Sequence, residues 1–250
     1  MLALLSPQSG HSPNADDLNT LYWVMLVLGV VLLIAINGAL IALAMRFRRA
    51  RGRQPRRLVV RRPAQIATAG AFAALALVTF VIGVVETNNA KQVEASGPDG
   101  LQAASLTTAQ RGLTLPTGDP APLEIRTCGQ QWIWRYEYPD GTYSYYELVV
   151  PVDTAVVVKL CSTDVVHRWW VPGLGGKFDA TAGESNQTWF KADQEGIFDG
   201  ASYAFSGASY AAMRTRVRVV DVPTYQAWLE QQAAGIREAQ EFVQAALGES

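Results

Sequence analysis

The sequence contains few of the side chains that bind transition metals. Its 250 residues include two cysteines and two histidines. The cysteines are Cys128 and Cys161, and the histidines are His11 and His167. Copper and similar metals are held mainly by thiolate, thioether and imidazole groups, so this shortage sharply limits the metal chemistry open to the chain.

The chain also lacks an excess of charge of either sign. Its 21 lysines and arginines balance 22 aspartates and glutamates, which leaves a net charge of -1. Nucleic-acid-binding proteins usually carry a basic surface, because contacts with phosphate dominate their affinity. We therefore expect no nucleic-acid partner.

Charged side chains are absent from two long apolar runs, Leu21–Met45 and Ala64–Val85. Each run reaches the roughly 20 residues that a helix needs to cross a bilayer. A pair of buried core helices is the alternative, but a core helix normally keeps one polar stripe, and neither run has one. The sequence therefore predicts transmembrane helices at 21–45 and 64–86, in contact with the lipid bilayer.

The orientation of these helices follows from the charges around them. In the connecting loop, 46–63, every charged residue is an arginine, whereas the N-terminal segment, 1–20, carries Asp16 and Asp17 and no basic residue. Short loops rich in arginine stay in the cytoplasm. We expect both termini on the exported side of a bacterial-type inner (plasma) membrane, with the first span as the export signal, because the start of the chain is a poor cleavable signal peptide.

The rest of the chain has the composition of an exported soluble domain. Residues 87–122 read as a linker rich in Gly, Ser, Thr and Pro. Strand-like runs separated by turns then fill residues 123–222, and Asp140-Gly141 is a strong hairpin-turn signal. This pattern predicts a β-sandwich or barrel of Greek-key type. Residues 223–250 follow as a helix and tail, whose one apolar edge suits attachment or a free amphipathic helix.

The two cysteines fall in predicted strands of this exported domain. An oxidising compartment makes a disulfide between Cys128 and Cys161 plausible. The alternative is that the two cysteines are small buried residues that do not contact each other. The sequence leaves both open, because strand register is not fixed by one sequence.

Two segments carry a family resemblance that covers most of the chain. They are QWIWRYEY, which begins at Gln131, and STDVVHRWWVPGLGGKFDATAGESN, which begins at Ser162. Together with two membrane spans and an arginine-rich inner loop, these segments resemble subunit II of the heme-copper oxidase superfamily. The resemblance implies a two-helix transmembrane hairpin followed by an all-β cupredoxin-like Greek-key sandwich and a short C-terminal helix.

In family members that accept electrons from cytochrome c, the sandwich holds a binuclear copper centre, CuA. Its ligands come from a D-V-x-H strand end and from a loop of the form C-x-x-x-C-x-x-x-H-x-x-M. The resemblance places five residues of this chain at those positions: His167, Ser202, Ser206, Tyr210 and Met213. A serine hydroxyl cannot replace a bridging thiolate, so we expect no metal and no catalytic residue in this chain.

The resemblance also bears on four tryptophans. Trp132 and Trp134 match an aromatic strand that lies near the electron-entry surface of cytochrome c oxidases, and Trp169 and Trp170 follow His167 directly. With no copper behind them, we expect Trp132 and Trp134 to pack at the domain surface and against a partner subunit, and Trp169 and Trp170 to act as β-strand or interface anchors.

The leading interpretation is a CuA-less subunit II of a quinol-oxidising, oxygen-reducing oxidase, because FSGASYAAM is similar to the loop of copper-free quinol oxidases. This chain would be a non-catalytic subunit with no cofactor of its own. Hemes and copper are expected in subunit I, which receives electrons from membrane quinol, and further membrane subunits are expected as partners.

Two alternatives stay open. One is subunit II of a quinol-dependent nitric oxide reductase, which Gln65 favours slightly, because many relatives have a glutamate at this entrance to a proton path. The other is a membrane-anchored cupredoxin-like binding protein with no redox role.

Overall fold

The computed structural model describes residues 9–46, 62–101 and 121–248. Most of the arginine-rich loop and much of the predicted linker lie outside the described residues. The chain divides into two compact units. One unit comprises residues 20–89, and the other comprises the residues up to 19 together with those from 90 onward.

Two long helices form the first unit, α1 (Pro13–Arg46) and α2 (Arg62–Asn89), although α1 begins in the second unit. Both helices are long and apolar enough to cross a membrane, and the predicted spans fall within them. Their polar side chains bond within the helix, as when Asn37 Nδ2 donates to Leu33 O at 2.8 Å and Thr68 Oγ1 to Ala64 O at 2.8 Å. Such internal bonding suits a lipid environment, which offers polar groups no other partner.

The second unit contains a sandwich of two five-stranded sheets. The first sheet has the order β3-β2-β1-β5-β8, made from β1 (Leu123–Gln130), β2 (Ile133–Glu137), β3 (Tyr143–Tyr145), β5 (Ala155–Ser162) and β8 (Asn186–Lys191). The second sheet has the order β4-β10-β9-β6-β7, made from β4 (Glu147–Pro151), β6 (His167–Trp170), β7 (Phe178–Ala180), β9 (Gly196–Ser202) and β10 (Arg214–Val220). A helix, α3 (Val222–Gly248), follows.

The chain crosses repeatedly between the sheets, in a Greek-key arrangement. The β1–β5 and β4–β10 pairs are parallel, and the other strand pairs are antiparallel. The turn predicted at Asp140-Gly141 joins β2 to β3, and Gly141 has φ of 85°, a conformation that favours glycine. The predicted order of two apolar helices, a β-sandwich and a C-terminal helix is confirmed.

Alternation of apolar and polar residues positions the strands. In β10, Thr215, Val217 and Val219 face the core, whereas the arginines between them face outward. Buried aromatic and aliphatic side chains from both sheets complete the core: Leu123, Ile125, Trp134, Tyr136, Leu148, Val156, Val158, Leu160, Trp169 and Phe190.

Strand β5 is buried on both of its faces. Val156 and Val158 join the main core, while Ala155 and Val157 join a second cluster with Val93 and Trp189. A strand covered on both sides reads as a continuous apolar run, which explains the sequence AVVV.

Segments next to the two long helices attach to the edge strand β8. Ahead of α1, Ser12 Oγ accepts from Lys191 N at 3.2 Å, and Asn14 Nδ2 donates to Trp189 O. After α2, Trp189 Nε1 donates to Ala90 O at 2.9 Å. These contacts cover an edge strand that would otherwise be open to pairing with another chain.

Tyr138 connects strands of both sheets with the C-terminal helix. Its hydroxyl donates to Val149 O at 3.0 Å and accepts from Val149 N at 2.9 Å. Its ring also packs against Tyr225 and Trp228 of α3. Burial raises the pKa of Tyr138 far above its ordinary value, so this phenol stays neutral.

Replacing Tyr138 with phenylalanine should lower the stability of the sandwich. Tyr138→Phe leaves the backbone N–H and C=O of buried Val149 without this partner, which costs on the order of 1–3 kcal/mol. Thermal unfolding of the detergent-solubilised chain, followed by near-UV circular dichroism, measures the loss. Tyr145→Phe on the exposed edge of β3 is the matched control, and equal effects of the two substitutions would contradict the assignment.

Candidate functional site

The five positions of the expected ligand set lie at one end of the sandwich. His167 begins β6, Ser202 ends β9, and Met213 directly precedes β10. Ser206 and Tyr210 lie in the loop between β9 and β10, residues 203–213, which we call the β9–β10 loop. The turn between β1 and β2 contacts the same loop.

His167 is fully buried and fixed in orientation. Its Nε2 lies 2.8 Å from Asp164 Oδ1, so Nε2 carries the proton that this carboxylate accepts. A Cβ at Gly129 would lie 2.8 Å from the imidazole Cδ2, so the ring needs a glycine beside it. Trp134 meets the ring edge-on at 5.9 Å between centroids. His167 Nδ1 is a buried nitrogen without a hydrogen-bond partner among the described residues.

Asp164 joins His167 to two neighbouring backbone segments. Its oxygens accept from Gln131 N at 2.8 Å and from Val165 N at 2.6 Å, in addition to the contact with His167. Burial acts to raise the pKa of Asp164, but the hydrogen bonds from His167, Gln131 and Val165 outweigh it and hold the pKa below its ordinary value. The carboxylate is therefore charged at neutral pH.

Ser202 forms hydrogen bonds with backbone groups of neighbouring segments. Its Oγ accepts from Arg168 N at 3.2 Å, and its own N–H donates to Met213 O at 2.8 Å. Met213 is fully buried and belongs to the main core. These two positions therefore act as packing and hydrogen-bonding residues.

Ser206 is the point at which the β1–β2 turn holds the β9–β10 loop. Its carbonyl oxygen accepts from Gln131 Nε2 at 2.6 Å and from Trp132 Nε1 at 3.0 Å. Gly207 follows with φ of 109°, and a Cβ there would lie 2.9 Å from Gln131 Nε2. Ser206 Oγ is buried without a hydrogen-bond partner among the described residues.

Tyr210 differs from the other four positions because it lies at the surface. It begins a short 3-10 helix, Tyr210–Ala212, and its side chain is 37% exposed. Its ring meets Phe205 edge-on at 5.2 Å, and Phe205 is itself 80% exposed. The two rings form an exposed aromatic pair on the loop.

A binuclear copper centre does not fit this set of side chains. The two loop positions that need bridging thiolates hold hydroxyls, one of which accepts a backbone hydrogen bond, and the position that needs a second imidazole holds a phenol at the surface. One imidazole and one thioether leave a copper pair without the sulfur that shares its charge. Among the described residues no group of three or more His, Cys, Asp or Glu is arranged to hold a metal ion.

The two cysteines lie elsewhere and are joined to each other. Cys128 in β1 and Cys161 in β5 are register partners of a parallel pair, with Cα atoms 4.5 Å apart, and they form a disulfide. The bridge that the sequence left open is therefore present in the structure. A disulfide sulfur is not a thiolate ligand, so neither cysteine can bind a metal at the β9–β10 loop.

The four tryptophans divide into two groups. Trp134 and Trp169 are buried in the core, and Trp169 Nε1 donates to Tyr136 OH at 3.1 Å. The expectation that Trp134 packs at the domain surface is wrong, whereas Trp169 has the strand position of the two roles expected for it, because alternation in β2 and β6 turns both side chains inward. Trp132 is 37% exposed and Trp170 is half-buried, so these two remain candidates for an interface.

Sequence reasoning missed several residues of this end of the sandwich. Asp164 was part of a quoted motif, yet nothing in the sequence showed that it joins His167 to Gln131. Lys177 lies over the Trp170 ring at 4.1 Å and near the Tyr203 ring at 5.2 Å, a cation–π arrangement that depends on folding.

Comparisons with known proteins agree with this architecture. The sequence profile described as "Cytochrome C oxidase subunit II, periplasmic domain" matches residues 144–220. The chain is 28% identical over 270 residues to cytochrome c oxidase subunit 2 of Cereibacter sphaeroides, covering 92% of this chain and 81% of that protein. It is 34% identical over 118 residues to the protein of that name from Alkalihalophilus pseudofirmus, covering 47% of this chain and 34% of the other.

A solved structure covers the sandwich part of the chain. The periplasmic domain of subunit II of cytochrome oxidase from Bradyrhizobium japonicum is 32% identical to this chain, with a TM-score of 0.44, and the match covers 45% of this chain and 94% of that one. The molecule is a cupredoxin-like sandwich preceded by two helices able to span a membrane. The chain belongs to the subunit II family of the heme-copper oxidases.

We expect the purified chain to bind no copper, and a variant with restored ligands to bind it. Ser202→Cys, Ser206→Cys and Tyr210→His together supply two thiolates and an imidazole beside His167 and Met213. Elemental analysis after dialysis against copper measures the metal content of each chain, and a thiolate-to-copper charge-transfer band reports correct ligation.

The variant lacking only Tyr210→His is the matched control, because it has the thiolates without the second imidazole. About two copper ions per unmodified chain would contradict the expectation. Failure of the triple variant to bind copper would show that the loop backbone differs from that of a copper loop.

Proposed function

We propose that this chain is a copper-free subunit II of a heme-copper terminal oxidase that oxidises membrane quinol and reduces oxygen. The observation that carries the proposal is the composition of the β9–β10 loop. Ser202, Ser206 and Tyr210 occupy the positions where copper-bearing relatives need two thiolates and an imidazole. The loop keeps the length of a copper loop but lacks the thiolates and the imidazole that would bind the metal.

A copper-free sandwich limits which electron donors can serve the complex. A soluble cytochrome must pass its electron to a redox centre near the outer surface, and this chain offers none at the loop. Trp132 is partly exposed, and among the described residues no group of three or more His, Cys, Asp or Glu is arranged to hold a metal acceptor behind it. A quinol instead reaches the heme-bearing subunit I from within the bilayer and bypasses the sandwich. Hemes and copper therefore belong to subunit I, and this chain has a structural and docking role.

The docking role has a candidate surface at the same end of the sandwich. Trp132, Tyr203, Phe205 and Tyr210 are all at least 37% exposed, and the last three lie on the β9–β10 loop. Exposed aromatic side chains grouped on a soluble domain mark interaction sites. We assign this exposed aromatic surface to the contact with subunit I, and further membrane subunits complete the complex.

The segment ahead of α1 supports an exported N-terminus. His11 N donates to Gly173 O at 2.8 Å, and Asp193 N donates to His11 O at 3.2 Å. A segment that is hydrogen-bonded to the sandwich lies on the same side of the membrane as the sandwich. Both termini and the β-domain are thus assigned to the exported side of an inner membrane, which agrees with the arginine-rich loop on the cytoplasmic side.

A second candidate function places the chain in the same kind of membrane complex, but with nitric oxide instead of oxygen as the gas that is reduced. Gln65 lies in the first turn of α2, where many relatives have a glutamate at the entrance of a proton path. An amide cannot exchange a proton, which favours a nitric oxide reductase slightly. Oxygen and nitric oxide consumption by the same purified complex separate the two functions.

The purified complex should turn over with quinol and show negligible activity with reduced cytochrome c. Oxygen consumption with a soluble quinol analogue, with and without a quinone-site competitor, measures the first activity. Spectrophotometric oxidation of cytochrome c measures the second. Fast, saturable oxidation of cytochrome c by a complex free of any attached cytochrome subunit would overturn the proposal.

Trp132 variants separate docking from electron entry in the same complex. Trp132→Ala should reduce the yield of assembled complex more than the turnover per assembled heme, because the side chain contributes packing and no electron relay. Trp170→Ala, at the other partly buried tryptophan, is the comparison. A large loss of turnover in fully assembled Trp132→Ala complex would point to electron entry through this residue.

The exported position of the N-terminus is tested by single-cysteine labelling. Gln8→Cys should react with a membrane-impermeant maleimide in intact spheroplasts. Gln54→Cys, in the arginine-rich loop, should react only after the membrane is permeabilised. The native cysteines are joined in a disulfide and do not compete. The reverse labelling pattern would reject the topology.

A further inference from the structure

We propose that a disulfide-anchored chain of hydrogen bonds, rather than a metal, holds the β9–β10 loop, so that the order of this loop depends on the redox state of Cys128 and Cys161. The inference rests on the proposed copper-free function. It assigns a redox-sensitive device to a part of the sandwich where copper-bearing relatives use a metal.

The chain begins at the disulfide, which ties the ends of β1 and β5 together. Cys128 pairs with Cys161 in the parallel register, and one step further along Gly129 pairs with Ser162. Thr163 N then donates to Gly129 O at 3.2 Å. The bridge therefore lies directly before the two turns that leave these strands.

Asp164 connects the bridged ends of the two strands to the β1–β2 turn. It lies three residues after Cys161, and its Oδ2 accepts from Gln131 N at 2.8 Å. Its other oxygen binds the imidazole of His167, which fixes the carboxylate from the β6 side. Separation of β1 from β5 would move Asp164 relative to Gln131, because the two residues follow different strands.

Gln131 and Trp132 then hold the loop itself. Both side chains donate to the same acceptor, Ser206 O, at 2.6 Å and 3.0 Å. Two bonds at its ends also join this loop to the sandwich, Tyr203 N to Arg168 O at 3.0 Å and Ser202 N to Met213 O at 2.8 Å, whereas bonds such as Tyr210 N to Gly207 O remain within the loop. Because a carbonyl oxygen has two lone pairs, the two donors satisfy it fully and fix the loop at its middle.

A reductant can reach the bridge. Cys161 is partly exposed, whereas Cys128 is only 9% exposed. Reduction adds two electrons and two protons to the disulfide and yields two thiols, while a dithiol reductant is oxidised to its own disulfide.

Hydrogen–deuterium exchange of the detergent-solubilised full chain tests the proposal. Amides of residues 203–213 are followed in untreated protein, with a phosphine reductant, and with a metal chelator. We expect reduction to speed their exchange roughly five- to tenfold, as for the loss of about one net hydrogen-bond contribution. The chelator should change nothing, and amides of β10 should stay protected in all three conditions.

Variants locate the effect within the chain of contacts. Cys128→Ser with Cys161→Ser should match the reduced protein and show no further response to reductant. Trp132→Phe keeps the ring and removes one donor to Ser206 O, so it should loosen the loop without reduction. Trp189→Phe is the matched control, since it removes an indole N–H that donates to Ala90 O at 2.9 Å, away from the loop.

Each outcome has a distinct meaning. Loop exchange that is unchanged by reduction overturns the disulfide anchor but leaves the copper-free function intact. Loop exchange that rises with the chelator overturns both, because a metal would then hold the loop. An unchanged loop in Trp132→Phe rejects the last link, even if the double cysteine variant fails to fold.

Discussion

The arrangement of the site depends on one carboxylate. Asp164 binds the imidazole of His167 and the backbone N–H of Gln131, and so connects the start of β6 with the turn after β1. Because the bonds are made to the charged form, they keep the group ionised despite its partial desolvation. The orientation of the imidazole, the position of the β1–β2 turn and the two donors to Ser206 O all follow from this anchor.

The fold and the metal site are physically separable in this sandwich. Its stability comes from a core shared by both sheets, to which Met213 contributes and from which Tyr210 is absent. Burial of apolar surface does not depend on which ligand occupies a loop. A loop can thus exchange thiolates for hydroxyls while the strands on either side remain in register, provided its backbone polar groups find protein partners.

Much of the fold could be predicted from the sequence, because strand periodicity and charge-free runs are local signals. The site was harder, because its contacts join residues distant in the chain. The loop positions were predicted by resemblance, whereas the bonds from Gln131 and Trp132 to Ser206 O join residues 75 and 74 positions apart in the chain. The inward direction of Trp134 was missed, because an aromatic residue in a strand suits either face until the register is known.

The same register explains why the disulfide belongs with the site rather than with the core alone. Parallel neighbours such as β1 and β5 are joined through a long crossover, so nothing local in the chain holds their ends together. Cys128 and Cys161 supply that connection at the end of the strands where the turns carrying Gln131 and Asp164 begin. A bridge at the opposite end would stabilise the sandwich equally through chain entropy but would leave these turns joined by hydrogen bonds alone, among them Gln131 N to Asp164 Oδ2. The position of the bridge therefore adds a covalent connection at the end of the domain where these turns meet.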